Sequence, residues 1–374
     1  MYTMGESVIY FVTDVTVANK FGLEQIRYLS NSNLKIHLVC GQGYLSPEFL
    51  KVCDSITQLD SLKRPIEIFS DIKTFLLIAI LIYKIKPACV IYSTPKASLI
   101  GALSSYLLGV KNRIYQIWGA RWETLSGIDL LVVRNLDKLT IGLSTSIIGV
   151  SNSIATLYRV MSKKKILVLG SGSAVGVDSK MFSIPKVKNQ SLKVGYAGRI
   201  AKDKGIAELL EVFNKLSVIY PRITLEIIGD IDLEDPVDSE VLEVIKNNIQ
   251  IRWIKHCHRT ELARYMKNWT LQIFLSRREG LGNVIIEAAA CGVPTICWDV
   301  TGVRDAVPDF LSKNLIVYNN IDLVFERIKE FVENPLSEKE SGDLSVWAIN
   351  NFEKNIVLRN FSSHVNNEIF KSGY

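Results

Sequence analysis

Apolar runs of four to six residues recur along the first half of the chain, and longer segments of helical character separate several of them. Residues 8–12, 35–40, 88–92, 113–117, 146–150 and 166–169 read as buried strands, and 72–86 and 97–108 as helices. This alternation predicts a parallel sheet with helices on both faces. A polar, proline-containing stretch over 184–190 interrupts the pattern. A second alternating unit then starts at 192–198, with strand-like 225–228, 251–254 and 273–275. The last segment, about 346–370, is amphipathic and no strand follows it. The pattern therefore divides the chain into domains at 1–184 and 185–345, with a terminal segment over 346–374.

Length and composition agree with that division. A chain of 374 residues is too long for one ordinary core and suits two. Its 48% hydrophobic content favours buried sheets over disorder. The apolar run at 75–83 is well short of the roughly 20 residues that span a bilayer, so it reads as a buried helix, with a membrane-dipping helix as the lesser alternative. No basic-then-apolar leader is read at the start, and the six cysteines are scattered, which suits a reduced, cytoplasmic protein. Charge is uneven. Residues 1–185 hold 20 basic and 12 acidic side chains, net +8, whereas 186–374 are net −2. The basic half points to an anionic partner, either an acidic acceptor or a membrane surface. Without interleaved aromatics or a recognisable module, nucleic acid is discounted.

The most informative segment is Glu279-Gly280-Leu281-Gly282-Asn283-Val284-Ile285-Ile286-Glu287. A strand precedes it, and the helix-forming Ala288-Ala289-Ala290 follows, with stop signals at Gly292 and Pro294. A helix N-terminus presents unpaired N–H groups and a partial positive charge, and glycines let backbone approach a phosphate. Carboxylates beside such a site suit sugar hydroxyls better than phosphate oxygens. The unit is built for a sugar that carries phosphate. The run Ser276–Val284, with Glu287-Ala288 and Gly292-Val293-Pro294, resembles the E-x7-E motif of retaining glycosyltransferases of the GT-B fold, family 4. The resemblance implies an α/β protein of two Rossmann-like doubly wound domains with a cleft between them. It also implies that the terminal helix crosses back to the first domain. Glu279 would hold the donor sugar, the backbone of Gly280, Leu281, Gly282, Asn283 and Val284 the diphosphate, and Glu287 the nucleotide ribose.

A second match is Gly195-Tyr196-Ala197-Gly198-Arg199-Ile200 followed by Lys202-Asp203-Lys204-Gly205-Ile206. It resembles the family's strand-to-helix turn, which gives Arg199 and Lys204 the donor diphosphate. Fixed cations there would stabilise the charge that develops on the leaving group. Three other motifs are set aside. Gly170-Ser171-Gly172 to Gly176 has the wrong spacing for a dinucleotide fingerprint and reads as the turn before the interdomain linker. Asp230-Ile231-Asp232 imitates a metal-binding Asp-x-Asp but reads as part of a solvated acidic loop. His256-Cys257-His258 lacks a completing ligand cluster, and only His256, near the expected nucleotide base, keeps a role.

The first domain should bind the acceptor. Its loops at 93–97 and 118–123 end adjacent strands and resemble acceptor-side loops in enzymes of capsule and O-antigen synthesis. Lys96 and Arg121 are assigned to an acceptor diphosphate and Glu123 to an acceptor hydroxyl. Trp118 stands where many members carry a histidine. The expected activity is transfer of a sugar from a nucleotide-sugar, chiefly a UDP-sugar, to a glycan hydroxyl, with a polyprenyl-diphosphate-linked glycan as the expected acceptor. No metal and no cofactor are expected, and attachment to the inner face of an anionic membrane is. The alternatives are a nucleotide-sugar epimerase of the same overall fold and a non-catalytic sugar-binding protein.

Overall fold

The computed structural model of the chain describes residues 5–184 and 192–371. It divides into two units. The first runs through Gly176 and takes in the residues from Asn355; the second is Val177–Lys354.

In the first unit, β1 (Ser7–Phe11), β2 (Lys35–Gly41), β3 (Ser55–Leu59), β4 (Cys89–Ser93), β5 (Asn112–Ile117) and β6 (Ser146–Gly149) form one parallel sheet in the order β3-β2-β1-β4-β5-β6. Its central strands are buried on both faces, which is why they read as continuous apolar runs. Helices Ile68–Ile85, Pro95–Leu107 and Gly127–Leu143 contribute to the core on one face. Helix Leu23–Ser30 and the final helix, Lys354–Lys371, pack on the other, the latter through Phe361, Val365 and Ile369.

In the second unit, β7 (Lys193–Ala197), β8 (Thr224–Ile228), β9 (Ile251–Ile254), β10 (Leu271–Phe274), β11 (Thr295–Trp298) and β12 (Leu315–Ile316) run β12-β11-β10-β7-β8-β9, also all parallel. Read from the other edge, the connectivity repeats that of the first sheet. Each sheet reverses its direction of growth once, between β1 and β4 and between β7 and β10. In open α/β sheets, ligands bind outside the carboxyl ends of the strands at such a reversal.

Several expectations change. Residues 166–169 do not form a strand; Leu167 makes only an isolated bridge to Ile148. The edge strand β3 has no apolar run to announce it. The helix expected over 72–86 begins at Ile68, and its apolar run is not simply buried. Ile78 and Ile82 face the core, but Leu76, Ile80 and Tyr83 face outward. The expected boundary at 184–190 lies, from Pro185 on, outside the described residues, and the units divide earlier, at Gly176. The segment expected as one terminal helix over 346–374 is two. Helix Glu338–Phe352 belongs to the second unit and Lys354–Lys371 starts after a break at Glu353. There Val177 N–H donates to Phe352 O and Lys354 N–H to Val177 O, a two-bond clasp that holds the second unit's first and last residues side by side.

Candidate active site

The two motifs separated by some 75 positions meet at the reversal between β7 and β10. After β7 the chain passes Gly198 and Arg199 into a short 3-10 turn, Lys202–Lys204, and then helix Ile206–Ile219. Gly205 joins the two with φ +68°, and a Cβ there would lie 2.0 Å from the Leu275 carbonyl oxygen. Only glycine lets the turn lie this close to the chain leaving β10. That second chain runs Ser276 to Glu279 and reaches Gly282, whose φ of +79° turns it into helix Asn283–Ala290.

The side chains form one charged network. Lys204 is nearly buried. Its Nζ donates to Glu279 Oε1 at 2.8 Å and to Ser276 Oγ at 3.2 Å. Ser276 Oγ also donates to Glu279 Oε1 at 3.1 Å. Arg199 pairs with Asp232, and Asp203 lies 3.3 Å from Arg278, 3.7 Å from Lys204 and 4.0 Å from Arg199. Beneath them Tyr196 is fully buried and gives its hydroxyl hydrogen to the Arg199 carbonyl at 2.8 Å. Burial first, then the nearby Glu279 and Asp203 charges, push its phenol well above the ordinary range, so it serves as a neutral donor.

Three cations, Arg199, Lys204 and Arg278, thus gather beside a helix N-terminus, counterbalanced by Asp203, Asp232 and Glu279. Sequence reasoning named Arg199, Lys204 and Glu279 but missed the rest. Asp203 had a visible signal, an acid lodged between two lysines of an anion-binding turn. The acidic loop was misread. Ile200 and Ile231 form a bridge through Ile200 N–H to Asp230 O and Asp232 N–H to Ile200 O. This straps the loop to the turn and buries Asp232 against Arg199. Asp235 accepts from Asp203 N–H at 2.9 Å, and Asp238 pairs with Lys202 at 3.0 Å. Asp230 alone keeps the solvated character expected of both, and it pairs with the exposed His256 at 3.0 Å.

Glu287 sits one turn into the helix and is buried, its Oε1 held by Arg259 Nη2 at 2.6 Å. Arg259 opens helix Arg259–Met266, which His258 caps together with Glu261, and its guanidinium lies over Phe182 at 5.7 Å. No sequence signal linked Arg259 to Glu287, 28 positions on. Gly280, Leu281 and Gly282 are buried, while Asn283 and Val284 are partly open at the head of the helix.

The first unit's residues stand differently. Lys96 is engaged, with its Nζ on Asp71 Oδ1 at 2.6 Å and on the Pro65 carbonyl. It ties the start of its own helix to the start of helix Ile68–Ile85. Arg121 is exposed on the 3-10 turn Arg121–Thr124, and Glu123 of the same turn is partly buried near Tyr158. Trp118 packs tilted against Phe21 with ring centroids 5.2 Å apart, and its Nε1 donates at 3.4 Å to Gln116, which is bonded to the buried Gln25.

Comparison with known proteins agrees with this geometry. The sequence profile of the family described as glycosyl transferases group 1 matches residues 178–344. The capsular polysaccharide biosynthesis glycosyltransferase CapM of Staphylococcus aureus is 30% identical over 367 residues, covering 94% of this chain and 95% of that protein. A UDP-Gal:alpha-D-GlcNAc-diphosphoundecaprenol alpha-1,3-galactosyltransferase of Escherichia coli is 22% identical, over 91% of this chain and 90% of its own. Among solved structures, a sucrose-phosphate synthase from Thermosynechococcus elongatus superposes with a TM-score of 0.79 at 14% identity, covering 98% of this chain and 100% of that one. The two repeated parallel sheets are the GT-B fold, and the chain belongs to the group 1 glycosyl transferases.

Proposed function

We propose that the protein is a retaining, family 4 enzyme that transfers a sugar from a UDP-sugar to a hydroxyl of a lipid-linked glycan during synthesis of a cell-surface polysaccharide. The observation that carries this reading is the contact of Lys204 with Glu279 at 2.8 Å beside the head of helix Asn283–Ala290. One group suits a diphosphate and the other a sugar hydroxyl, within one side chain's reach.

In this reading the donor diphosphate lies against the backbone at Gly280–Val284, and Arg199 and Lys204 turn to it from their carboxylates. Arg278 joins them. The charge on the diphosphate grows as the glycosidic bond breaks, so these contacts are strongest in the transition state. Glu279 accepts a hydrogen bond from the donor sugar. Glu287 accepts one from the ribose on the oxygen that Arg259 leaves open, since a carboxylate accepts at both oxygens. In a front-face displacement the leaving phosphate oxygen takes the acceptor proton, so the sugar keeps its anomeric configuration and no dedicated base is required. Arg199, Lys204 and Arg278 supply the positive charge of the step, and no metal is assigned to it. The name of the E. coli relative supports a UDP donor and a polyprenyl-diphosphate acceptor, and that of the S. aureus relative supports capsule as the product. Arg121 and Glu123 remain the proposed acceptor contacts, with Lys96 bracing their neighbour.

The test is UDP release from UDP-sugars with and without a polyprenyl-diphosphate glycan, alongside nuclear magnetic resonance of the product's anomeric centre. Acceptor-dependent release with retained configuration is expected. An inverted product, or a donor epimer in place of a transfer product, would overturn the reading.

A further inference from the structure

The first unit carries an exposed face that the site leaves unexplained. Along helix Ile68–Ile85, Phe69, Ile72, Leu76, Ile80 and Tyr83 recur every three or four positions on the side opposite the buried Thr74, Ile78 and Ile82. They form a stripe pointing away from the core. Phe69 is 90% exposed. Helix Gly127–Leu143 does the same with Ile128, Leu131, Val132 and Leu139, opposite the buried Asp137 and Ile141. Helix Pro95–Leu107 packs against both and adds Tyr106 and Leu107 at its end. Exposed apolar stripes on neighbouring helices are unusual on a soluble surface and mark an interaction site.

Charge identifies the occupant. From Ile72 to Trp122 the sequence has seven Lys or Arg and no acidic residue. Lys73, Lys84, Lys86, Lys111 and Lys138 are exposed and make no ion pair among the described residues. Of the acids at the edge, Asp71 is neutralised by Lys96 and Glu67 by Lys63 at 3.8 Å, whereas Asp129 and Glu6 are exposed. At the carboxyl end of the first helix a hollow of about 580 Å3 is lined by Ile82, Tyr83, Lys86, Leu108, Lys111 and Glu6. Apolar side chains bordered by cations are the composition of a surface that lies in the headgroup region of an anionic bilayer. Among the described residues no helix is long and apolar enough to cross a membrane.

We infer that this helical face docks the protein on a bilayer of anionic phospholipid, with Phe69, Leu76, Ile80 and Leu131 entering the headgroup region and Lys73, Lys84, Lys86 and Lys138 contacting lipid phosphates. The use of that docking rests on the proposed lipid-linked acceptor. Ile68 and Phe69 begin the helix braced by Lys96, and Ile128 follows the turn that carries Arg121 and Glu123. A glycan on a membrane-held lipid would be presented to that end. The lysine run at 163–165 lies elsewhere. Lys164 Nζ is bonded to the carbonyls of Gly142 and Ser144, so it is committed to the end of helix Gly127–Leu143, and its burial lowers its pKa.

The test is flotation of the full chain with vesicles of phosphatidylcholine alone or mixed with phosphatidylglycerol, at low and high salt. Phe69→Asp/Ile80→Asp and Lys84→Glu/Lys86→Glu are compared with Val218→Asp, an exposed apolar position of the second unit. Wild type and Val218→Asp should float with the anionic vesicles. Each docking double variant should lose at least about tenfold in partition with unchanged melting temperature. Raising salt to about 1 M, which shortens screening to about 3 Å, should release much of the bound protein. Absence of wild-type flotation at low salt, or equal flotation of all variants, overturns the inference. So does a wild-type dimer in sedimentation velocity that Phe69→Asp/Ile80→Asp converts to monomer without a change in flotation, because the face then joins two copies. UDP release to a detergent-dispersed acceptor scores the transferase reading separately, and the docking variants should retain it.

Discussion

The two units share one strand order and differ at the point where each order reverses. Between β7 and β10 the second unit sets a charged network, in which Lys204, Arg199 and Arg278 share Asp203, Asp232 and Glu279. Between β1 and β4 the first unit sets two threonines. Thr13 Oγ1 and Thr94 Oγ1 are 2.7 Å apart, Thr13 N–H donates to Thr94 Oγ1 at 3.0 Å, and Lys96 is tied to Asp71. The scaffold supplies a ligand position in both, and the loops decide what kind of ligand it suits. One reversal holds charges that a diphosphate can take over. The other is closed on itself by the threonine hydrogen bonds and by the ion pairs of Asp14 with Arg64 and of Lys96 with Asp71, so the polar contacts left for an acceptor are those of the next loop, Arg121 and Glu123.

The sharpest way to break this comparison is to remove the same residue type from both reversals. Lys204→Ala should lower turnover on the order of 100-fold, the usual loss when a fixed charge aimed at a developing anion is removed. Lys96→Ala should leave turnover far closer to wild type and instead lower stability by about 1 kcal/mol, as expected for a largely shielded but not fully buried pair. Parallel steady-state kinetics and thermal melts check this; equal losses of turnover in both variants would erase the distinction between the loops.

A smaller effect sharpens the donor side. Glu287→Gln should weaken UDP-sugar binding by about 1.5–3 kcal/mol, the worth of charged hydrogen bonds, while slowing chemistry less. Calorimetry with the donor checks it. Unchanged affinity would mean that Glu287 only anchors Arg259.

The smallest effects concern the acidic loop. Asp230→Asn should stay within about 0.5 kcal/mol of wild type in stability, as for an exposed pair, with activity intact after exhaustive chelation. Asp232→Asn should lower turnover moderately, because Arg199 loses the carboxylate that fixes its position. Activity abolished by chelation and by Asp230→Asn alike would give the pair a metal after all.

Much of this was legible in the sequence, for identifiable reasons. The central strands are buried on both faces, so their apolar runs mark them directly, and two motifs with glycines at forced backbone positions located the turn and loop that meet in the charged network. What stayed hidden depends on contacts distant in sequence. Asp232 looked like solvated loop because its burial comes from a bridge between Ile200 and Ile231. Lys96 looked available because Asp71, its partner, lies 25 positions earlier on another helix. Leu76, Ile80 and Tyr83 lie in the run read as a buried helix but face outward, because an apolar run alone cannot say which side of a helix faces water.

The central claim is that Arg199 and Lys204 together bind the leaving diphosphate at the second reversal. Calorimetric titration of UDP into wild type and Arg199→Ala/Lys204→Ala tests it most directly. Losing two charged hydrogen bonds of about 1.5 kcal/mol or more each predicts a Kd raised at least about 100-fold in the variant, with the fold intact by circular dichroism. A UDP affinity unchanged from wild type would contradict the account.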